Sequence, residues 1–425
     1  MSYRLRANLF FVTLLFLIST SPGVMALDVP ANGNVLIQLP EGHILQKTVY
    51  SKEEFAKLNN SSVEYQLIHN GNLITFGPSL DLISSEKLNQ VSTAWAMQAD
   101  GSLIGMTGCV NLAFGLDECK YISDLKTGKI LFAAQSDNLF DPHELKIDDR
   151  GNFWFLSYPK IDCLITTSIC ASFKINPTKF FADCQINAMN SDGQTVFRWK
   201  ASQHIPSAEV YPAYIKEGPR GKYVDLFHCN SIDFVDSQRI LLSFRNTNSI
   251  YLLNTASSEI EWKLGGHYLK GVSLLTSGFK RGVGNESIAQ HDARSLGNGF
   301  FSYFDNASHT SKPARGVIFK VSGSTHHRRA TMVREFLNPN GINSLCAGST
   351  RAADLGNTVV GWGCSLNAIT IFNHSGRPIV SLDIIETSET SHLFSHLPLM
   401  LQGEDWGPAF TYLMSYRVTP VIHLR

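Results

Sequence analysis

The sequence predicts an all-β protein: a six-bladed β-propeller with four-stranded blades and long loops over one face. Five segments place a turn residue ahead of a short apolar strand: "DGSLIGMT" at 100, "DRGNFWFL" at 149, "SQRILLSF" at 237, "GNGFFSYF" at 297 and "LGNTVVGW" at 355. Each is followed by a hairpin in which alternating apolar residues flank a Gly or Ser turn, as in "IYLLNTASSEIEWKLGG". One unit is therefore four short strands, and such units repeated every several tens of residues are typical of propellers.

The two ends of the chain supply the sixth unit. The N-terminal "EYQLIHNGNLITFG" and the C-terminal "AFTYLMSYRVTPVIHL" both read as strands, and their pairing would close the ring. The spacing of the units is uneven, with insertions around 160–180, 204–222 and 267–290. We expect these insertions to form loops over one face, where propellers usually place their binding sites. The alternative architecture is a pair of β-sandwiches, which also contain many short strands.

Residues 1–26 are predicted to be a cleaved signal peptide. Positively charged residues precede the apolar run "LFFVTLLFLI", and the small-residue stretch "VMA" at 24–26 resembles a signal-peptidase site. The alternative is an N-terminal membrane anchor, but the run is short for a bilayer span. We therefore expect a secreted or periplasmic mature chain, 27–425, that forms one propeller domain with a short N-terminal extension at 27–60. In this mature form we expect no contact with a membrane.

The charge balance argues against polyanionic partners. Lys plus Arg equals Asp plus Glu at 36 each in 425 residues, so no overall field attracts nucleic acid or an anionic membrane. The chain is 44% hydrophobic, which is enough to bury a large core. A small ligand recognised by local contacts is the partner that this composition favours.

The eight cysteines indicate disulfides, because an exported chain folds in an oxidising compartment. Cys109 with Cys119 and Cys163 with Cys170 are close enough in sequence to clip short loops. The other four have no obvious partner: Cys184, Cys229, Cys346 and Cys364. A zinc site is the alternative, but no short Cys-x-x-Cys spacing is repeated. Asn-x-Ser sequons, which matter only if the source glycosylates exported proteins, begin at Asn60, Asn285, Asn306 and Asn373.

Three histidines occupy nearly equivalent positions in the repeat, just before the innermost strand of a blade. They are His143 in "DPHELKIDDRGNFWF", His228 in "DLFHCNSIDFVDSQRILLSF" and His291 in "IAQHDARSLGNGFFSYF". One strand-length after the second stands Arg245, flanked by Asn246. A single histidine of this kind is more often a packing or capping residue. Three in register beside an arginine carry desolvation penalties that a ligand or a catalytic role must offset, so we predict a site in the central channel.

Four motifs in order resemble the arylsulfotransferase family of exported six-bladed propellers: "DLFHCNSIDF", "SFRNTNSIYLLNTASSEIEWKLGG", "QHDAR" and "FDNAS". The resemblance covers about 135–385 and is strongest over 222–306. It implies transfer of a sulfuryl group from a phenolic sulfate ester to a phenol through a sulfated histidine, without a nucleotide sulfate donor, a cofactor or a metal. By motif the nucleophile falls on His291, with His143, His228 and Arg245 as its catalytic companions.

The chemistry suits those residue types. A neutral imidazole attacks sulfur to form a covalent intermediate, and a guanidinium stabilises the charge on the peripheral oxygens. A histidine can protonate the departing phenolate, but the sequence does not choose between His143 and His228. The candidate substrate-binding residues are Asn230, Asn246 and Arg294. The alternative functions are a non-catalytic propeller that binds a ligand, and a hydrolase in which water replaces the phenol.

Overall fold

The computed structural model describes most of the chain between residues 26 and 422. The described residues are 26–28, 35–39, 44–69, 71–90, 94–98, 100–111, 117–134, 139–163, 167–172, 180–210, 223–279, 287–308, 310–324, 327–365, 367–384 and 417–422. The predicted signal peptide lies outside them except for its last position. The tail at 384–410, which has no repeat character, lies outside them after residue 384.

Short β-strands account for nearly all of the regular structure in the N-terminal half. Strands β1 (Ala26–Asp28), β2 (Val35–Gln38) and β3 (Ile44–Val49) precede helix α1 (Lys52–Leu58). The next blades contain β4 (Val63–His69), β5 (Asn72–Phe76), β6 (Leu82–Lys87), then β7 (Trp95–Met97), β8 (Leu103–Asn111), β9 (Asp117–Asp124), β10 (Ile130–Ala133), then β11 (Asp141–Ile147) and β12 (Phe153–Ser157). An insertion adds β13 (Lys160–Asp162), α2 (Thr167–Ser172) and β14 (Phe180–Ala182).

The second half continues the same pattern. After β15 (Gln185–Met189) and β16 (Thr195–Lys200) come α3 (Ala201–His204) and β17 (Tyr223–Asp225). The remaining strands are β18 (Cys229–Phe234), β19 (Arg239–Phe244), β20 (Ser249–Asn254), β21 (Ile260–Gly265), β22 (Leu275–Ser277), β23 (His291–Gly297), β24 (Phe300–Asp305), β25 (Arg315–Ser322), β26 (Arg329–Leu337), β27 (Ser349–Ala352), β28 (Thr358–Gly361), β29 (Asn367–Phe372), β30 (Pro378–Ile384) and β31 (Thr419–Ile422).

These strands form a six-bladed β-propeller. The four-stranded blade cores are β31-β4-β5-β6, β7-β8-β9-β10, β11-β12-β15-β16, β18-β19-β20-β21, β23-β24-β25-β26 and β27-β28-β29-β30. The predicted hairpins occupy the two outer strands of five blades. In the sixth, β31 pairs antiparallel with β4, with Pro420 opposite Tyr65, so strands from both chain ends close the ring as the sequence predicts.

Strands in the middle of a blade are apolar on both faces because each blade lies between two others. In β20, Ile250 and Leu252 pack with Phe301 of the following blade, whereas Tyr251 and Leu253 pack with residues of the preceding blade. Alternate side chains therefore bury against opposite neighbours, and the strand reads as a continuous apolar run rather than as an alternating one. The segment "SIYLLN" is buried at every position up to Leu253.

The three insertions that the sequence predicts to be loops contain short strands. The first two insertions together form a small mixed sheet, β13-β14-β17, in which β17 runs parallel to β14. The third contributes β22, which pairs parallel with β26 as a fifth strand of that blade. The predicted N-terminal extension also adds strands, since β3 pairs with β30 and continues through β2 to β1. Such pairing satisfies backbone groups that would otherwise be buried without partners.

All eight cysteines form disulfides. Cys109–Cys119 and Cys163–Cys170 pair as the sequence predicts. The other two bonds, Cys184–Cys229 and Cys346–Cys364, join cysteines whose partners the sequence spacing did not reveal. Four disulfides indicate folding in an oxidising compartment outside the cytoplasm. Within the described ranges, no helix has the length and apolar character needed to cross a bilayer.

Candidate active site

The three histidines meet at one end of the central channel. His143 lies near the start of β11, His228 immediately precedes β18, and His291 begins β23. Because each of these strands is the first of its blade, the repeat brings the same strand end to the same level of the channel. One ring nitrogen of each histidine lies within 4.8 Å of the others. The rings of His143 and His228 are edge to face, with centroids 5.1 Å apart.

Two of the histidines form Asp–His pairs. The Nδ1 atom of His143 lies 2.7 Å from Asp141 Oδ1, and that of His228 binds Asp225 Oδ2. Each aspartate also accepts a hydrogen bond from the backbone N–H of its own histidine. A carboxylate accepts a hydrogen bond from Nδ1–H, so both rings are held with Nε2 directed away from the aspartate.

His291 has a different partner. Its Nδ1 atom lies 2.8 Å from Asn306 Oδ1 and 3.1 Å from the carbonyl oxygen of Ala289. The amide nitrogen of Asn306 donates to the carbonyl oxygen of Ala347 (3.0 Å) and to Ser344 Oγ (3.3 Å), which fixes the amide with its oxygen towards the ring. Both partners of Nδ1 are acceptors. The proton of the neutral ring is therefore on Nδ1, and the lone pair is on Nε2.

The local electrostatics keep His291 neutral. Burial lowers its pKa well below the usual value, and the positive charge of Arg245 and the neighbouring His228 lower the pKa further. The pKa of His228 is also lowered, by burial first, although Asp225 opposes that shift. A neutral imidazole with a free lone pair is the nucleophilic form of histidine.

Arg245 is positioned by the turn that follows β19. This turn is a 3₁₀ helix, Arg245–Thr247, and the backbone N–H of Arg245 donates to the carbonyl oxygen of His228 at 2.9 Å. The guanidinium donates from Nη1 to Asn246 Oδ1 at 3.1 Å, and Asn246 Nδ2 donates to the carbonyl oxygen of Asp225 at 3.0 Å. Asn246 therefore links Arg245 to the residue that orients His228.

The other two predicted substrate-binding residues are deeper in the fold. Asn230 is fully buried, donates from Nδ2 to the carbonyl oxygen of Gln290 (2.9 Å), and has no partner for Oδ1 among the described residues. Arg294 lies three residues after His291, where its guanidinium binds Asp292, Glu144 and the carbonyl oxygen of Ile232. The structure thus groups the three histidines with Arg245 and Asn246. It sets Arg294 apart in an ion-pair network.

Backbone strain concentrates around the histidines. His228 has a φ of 46°, Asp292 has a φ of 57° and Ala289 has a φ of 54°. These values lie in the left-handed region, which costs about 1–2 kcal/mol for residues with a Cβ atom. Such conformations persist where the surrounding structure over-determines them, and they are common at functional sites.

Three positioning residues escaped sequence reasoning: Asp141, Asp225 and Asn306. The signal for the first two was present, since Asp precedes His by two residues in "DPH" and by three in "DLFH". No such Asp precedes His291 in "IAQH". Asn306 was visible only as part of "FDNAS" and as a sequon. It is completely buried with its amide nitrogen bonded, so the folded protein offers no access for glycosylation there.

The three ring nitrogens also have the composition of a transition-metal site. Arg245 argues for a different occupant, because its permanent positive charge acts on both His228 and His291. A guanidinium beside neutral imidazoles disfavours a second cation and favours an anion with several oxygens. The arrangement is therefore suited to a nucleophilic attack on an anionic group whose oxygens Arg245 stabilises.

The fold assignment rests on the sheet topology, since the solved structures that resemble the chain do so distantly. They include a protein of unknown function from Bacteroides caccae (10% identity, TM-score 0.42, 76% of this chain and 94% of that chain). A streptogramin B lyase has 11% identity and a TM-score of 0.37 over 86% of this chain and 88% of that chain. The Myceliophteria thermophila Cps50 (Swd1) β-propeller domain has 9% identity and a TM-score of 0.35 over 87% of this chain and 86% of that chain.

Sequence comparison is more informative. No curated protein matches the chain. The family model described as arylsulfotransferase (ASST) matches residues 98–383, which include the three histidines, Arg245 and their positioning residues. That match spans most of the chain and five of the six blades, apart from strand β7 and the last residue of β30. The chain therefore belongs to the arylsulfotransferase family, whose members are sulfotransferases that do not use the nucleotide sulfate donor PAPS.

Proposed function

We propose that this protein transfers a sulfuryl group from a phenolic sulfate ester to a phenol through a sulfohistidine at His291. The observation that carries the proposal is the amide partner of that ring. Asn306 and the carbonyl oxygen of Ala289 hold the proton on Nδ1, so Nε2 presents its lone pair to the centre of the cluster. The depressed pKa keeps this form populated at neutral pH and below.

In the first step the lone pair of His291 Nε2 attacks sulfur and the sulfur–oxygen bond to the aryl group breaks. The bonding electrons leave on the phenolate oxygen, which takes a proton from Nε2 of an Asp–His pair whose ring is protonated at the start of the step. Arg245 neutralises charge on the peripheral oxygens of the sulfuryl group, as arginines do in phosphoryl transfer. Ping-pong kinetics follow from this covalent intermediate.

The amide partner also suits the second step. Since Asn306 cannot take a proton, the sulfated ring keeps its Nδ1–H and stays cationic, which makes it a good leaving group. The incoming phenol gives its proton to Nε2 of the same histidine, whose ring the first step left neutral. The oxygen attacks sulfur, the nitrogen–sulfur bond breaks, and the electron pair returns to Nε2. His143 and His228 each have a carboxylate that stabilises the protonated form, although at His228 burial outweighs Asp225 and lowers the pKa.

The sharpest test is the intact mass of the protein after mixing with a nitrophenyl sulfate. We expect the mass to rise by one sulfuryl group and the adduct to disappear when phenol is added. His291→Asn should fold, by circular dichroism, and should acquire no adduct. If His291→Asn acquires the adduct and His228→Asn does not, then His228 is the nucleophile and the roles proposed for the two histidines are reversed. Turnover without added phenol would identify a hydrolase instead. If the protein shows no adduct and no turnover, a non-catalytic binding propeller is favoured.

We also propose that the mature protein is secreted or periplasmic and begins after residue 26. The charged start, the apolar run and the small-residue site at 24–26 support this location. In this proposal 27–425 act as one catalytic propeller domain. Its partners are a phenolic sulfate donor and a phenolic acceptor, with no nucleic acid. Mass spectrometry of the N-terminal peptide from exported protein tests the cleavage point, and an uncleaved N-terminus would refute it.

A further inference from the structure

A cavity lies further along the central channel, beyond the histidines. Its volume is about 320 Å³, at the lower end of the range for small-ligand pockets. It is lined by parts of five of the six inner strands and their flanks: Trp95, Ala96, Met97, Glu144, Leu145, Lys146, Ile147, Arg294, Arg351, Arg417, Thr419, Pro420 and Val421. None of the three histidines lines it, so it is separate from the site described above.

Three arginines converge on one carboxylate behind this cavity. Asp292 Oδ1 lies 2.5 Å from Arg294 Nη2 and 3.1 Å from Arg417 Nε, and Asp292 Oδ2 lies 2.6 Å from Arg351 Nε. The carboxylate is completely buried. The three guanidinium groups lower its pKa far below the usual range, although burial opposes them. One negative charge is therefore shared among three positive ones.

Of these arginines, Arg351 is the least compensated. A second carboxylate, Glu144, lies 2.6 Å from Arg294 and 2.8 Å from Arg417, but no contact joins it to Arg351. Arg351 uses Nε and Nη2 on Asp292, and its Nη1 has no hydrogen-bond partner among the described residues. Burial and the positive charge of Arg294 lower the pKa of Arg351, and Asp292 does not outweigh them. The cavity wall is thus electropositive at Arg351.

The rest of the wall adds one more cation and an apolar surface. Lys146 pairs with Asp233 at 2.7 Å and its side chain remains 28% exposed. Trp95, Met97 and Pro420 supply the apolar part, and Met97 is 48% exposed. A positive wall with an accessible donor, facing an apolar wall, is complementary to a ligand with an anionic group on a flat apolar body.

We propose that this cavity binds a small aromatic monoanion, with its carboxylate or sulfate group at Arg351 and its ring against Trp95 and Met97. The inference does not depend on sulfuryl transfer at His291. It adds a second anion-binding site to the same channel, one without a histidine nucleophile. A ligand bound there is therefore held and not modified.

The test is calorimetric titration of the full mature chain with 4-nitrobenzoate, which has no sulfuryl group to transfer. We expect one molecule to bind per chain, with unchanged affinity in Arg245→Met. Arg351→Gln should weaken binding about tenfold or more, through loss of a charge-assisted hydrogen bond. Met97→Glu should weaken binding similarly, because it places a negative charge at the rim of the cavity. Since Met97 is exposed, this substitution should leave the packing of the core intact.

Phenyl sulfate and inorganic sulfate test whether the cavity recognises an aromatic anion or any anion. Titration of the double variant His291→Asn with Arg245→Met, which lacks the nucleophile and the guanidinium of the histidine site, with phenyl sulfate should show the same dependence on Arg351 and Met97, because both ligands carry an anionic group on an aromatic ring. Inorganic sulfate should bind more weakly, since it lacks the ring. Absence of binding to the wild-type protein overturns the proposal. So does binding that is lost in Arg245→Met and unaffected by Met97→Glu, because it would place the anion among the histidines.

Discussion

At the scale of the residue, His291 differs from His143 and His228 in what its Nδ1 atom binds. A carboxylate stabilises the protonated ring, whereas an amide accepts the same hydrogen bond without supplying negative charge. Three similar histidines thereby divide into one candidate nucleophile and two acid–base candidates. The sequence predicted the three histidines from their register in the repeat. It did not predict the division, because Asn306, which reaches His291 from just beyond the end of β24, is fifteen residues along the chain.

Replacing Asn306 with Asp tests that division through the pH dependence of catalysis. A carboxylate at hydrogen-bonding distance favours the charged ring, so the pKa of His291 rises, by about one to three pH units. The ring attacks only when it is neutral, and the rate falls as pH drops through the pKa. The acidic limb of the pH–rate profile should therefore move to higher pH. Nitrophenol release from its sulfate ester, measured from pH 4 to pH 8, reports this limb.

Asn373→Asp is the matched control. Its side-chain oxygen also accepts hydrogen bonds, from the backbone N–H groups of Ser375 and Arg377 at 3.0 Å each, and it lies in the exposed turn between β29 and β30, in a blade that carries none of the three site histidines. Aspartate makes the same bonds, so the control should keep the wild-type profile. An acidic limb that stays in place in Asn306→Asp would show that this amide does not tune the nucleophile.

At the scale of the element, the hairpins were predictable and the insertions were not. Blade hairpins such as β20–β21 contain two strands of six residues with a turn between them, so pattern alone identifies them. Strands β13, β14 and β17 have three residues each, which is too short for periodicity. Their pairing also joins residues about forty positions apart. The same long separation hid the Cys184–Cys229 bond.

One element near the site is supported by a buried ion pair. Lys263 of β21 and Glu209 are both fully buried and bind each other. Tyr251 donates to Glu209 Oε2 at 3.3 Å and lies 3.1 Å from Thr247 Oγ1, and Thr247 belongs to the turn that carries Arg245. The pair therefore connects the insertion before β17 with the turn that positions the guanidinium.

Lys263→Met should destabilise the protein by about 3–5 kcal/mol, because it leaves the Glu209 carboxylate buried without its cation. The double variant Lys263→Met with Glu209→Gln should recover most of that loss, since neither charge remains. Urea unfolding followed by tryptophan fluorescence measures both. Lys57→Met is the comparison, because Lys57 forms solvent-exposed ion pairs with Glu53 and Glu54, so its replacement should leave the free energy of unfolding nearly unchanged. Equal stability of the single and double variants would contradict this account.

At the scale of the whole molecule, one C-terminal segment both closes the ring of blades and contributes to the buried ion pairs of the central channel. The last described segment supplies both β31 and Arg417. Strand β31 pairs with β4, and Arg417 binds Glu144 of β11 and Asp292 of β23. The sequence predicted the strand pairing, because both ends contained unpaired strand patterns. It did not predict the ion pairs, which form between different blades across the channel.

Removing residues 417–425 should therefore open the ring and disturb the channel together. The edge of β4 loses its partner, which exposes unpaired backbone groups and promotes aggregation. Glu144 and Asp292 each also lose the buried guanidinium of Arg417, although Arg294 still binds both carboxylates, so the lost strand pairing should account for most of the destabilisation. Thermal unfolding and light scattering should show a lower midpoint and larger particles than in a control that lacks only residues 423–425. If both truncations unfold at the same temperature, closure by β31 does not stabilise the propeller, and its six blades hold together through blade-to-blade packing alone.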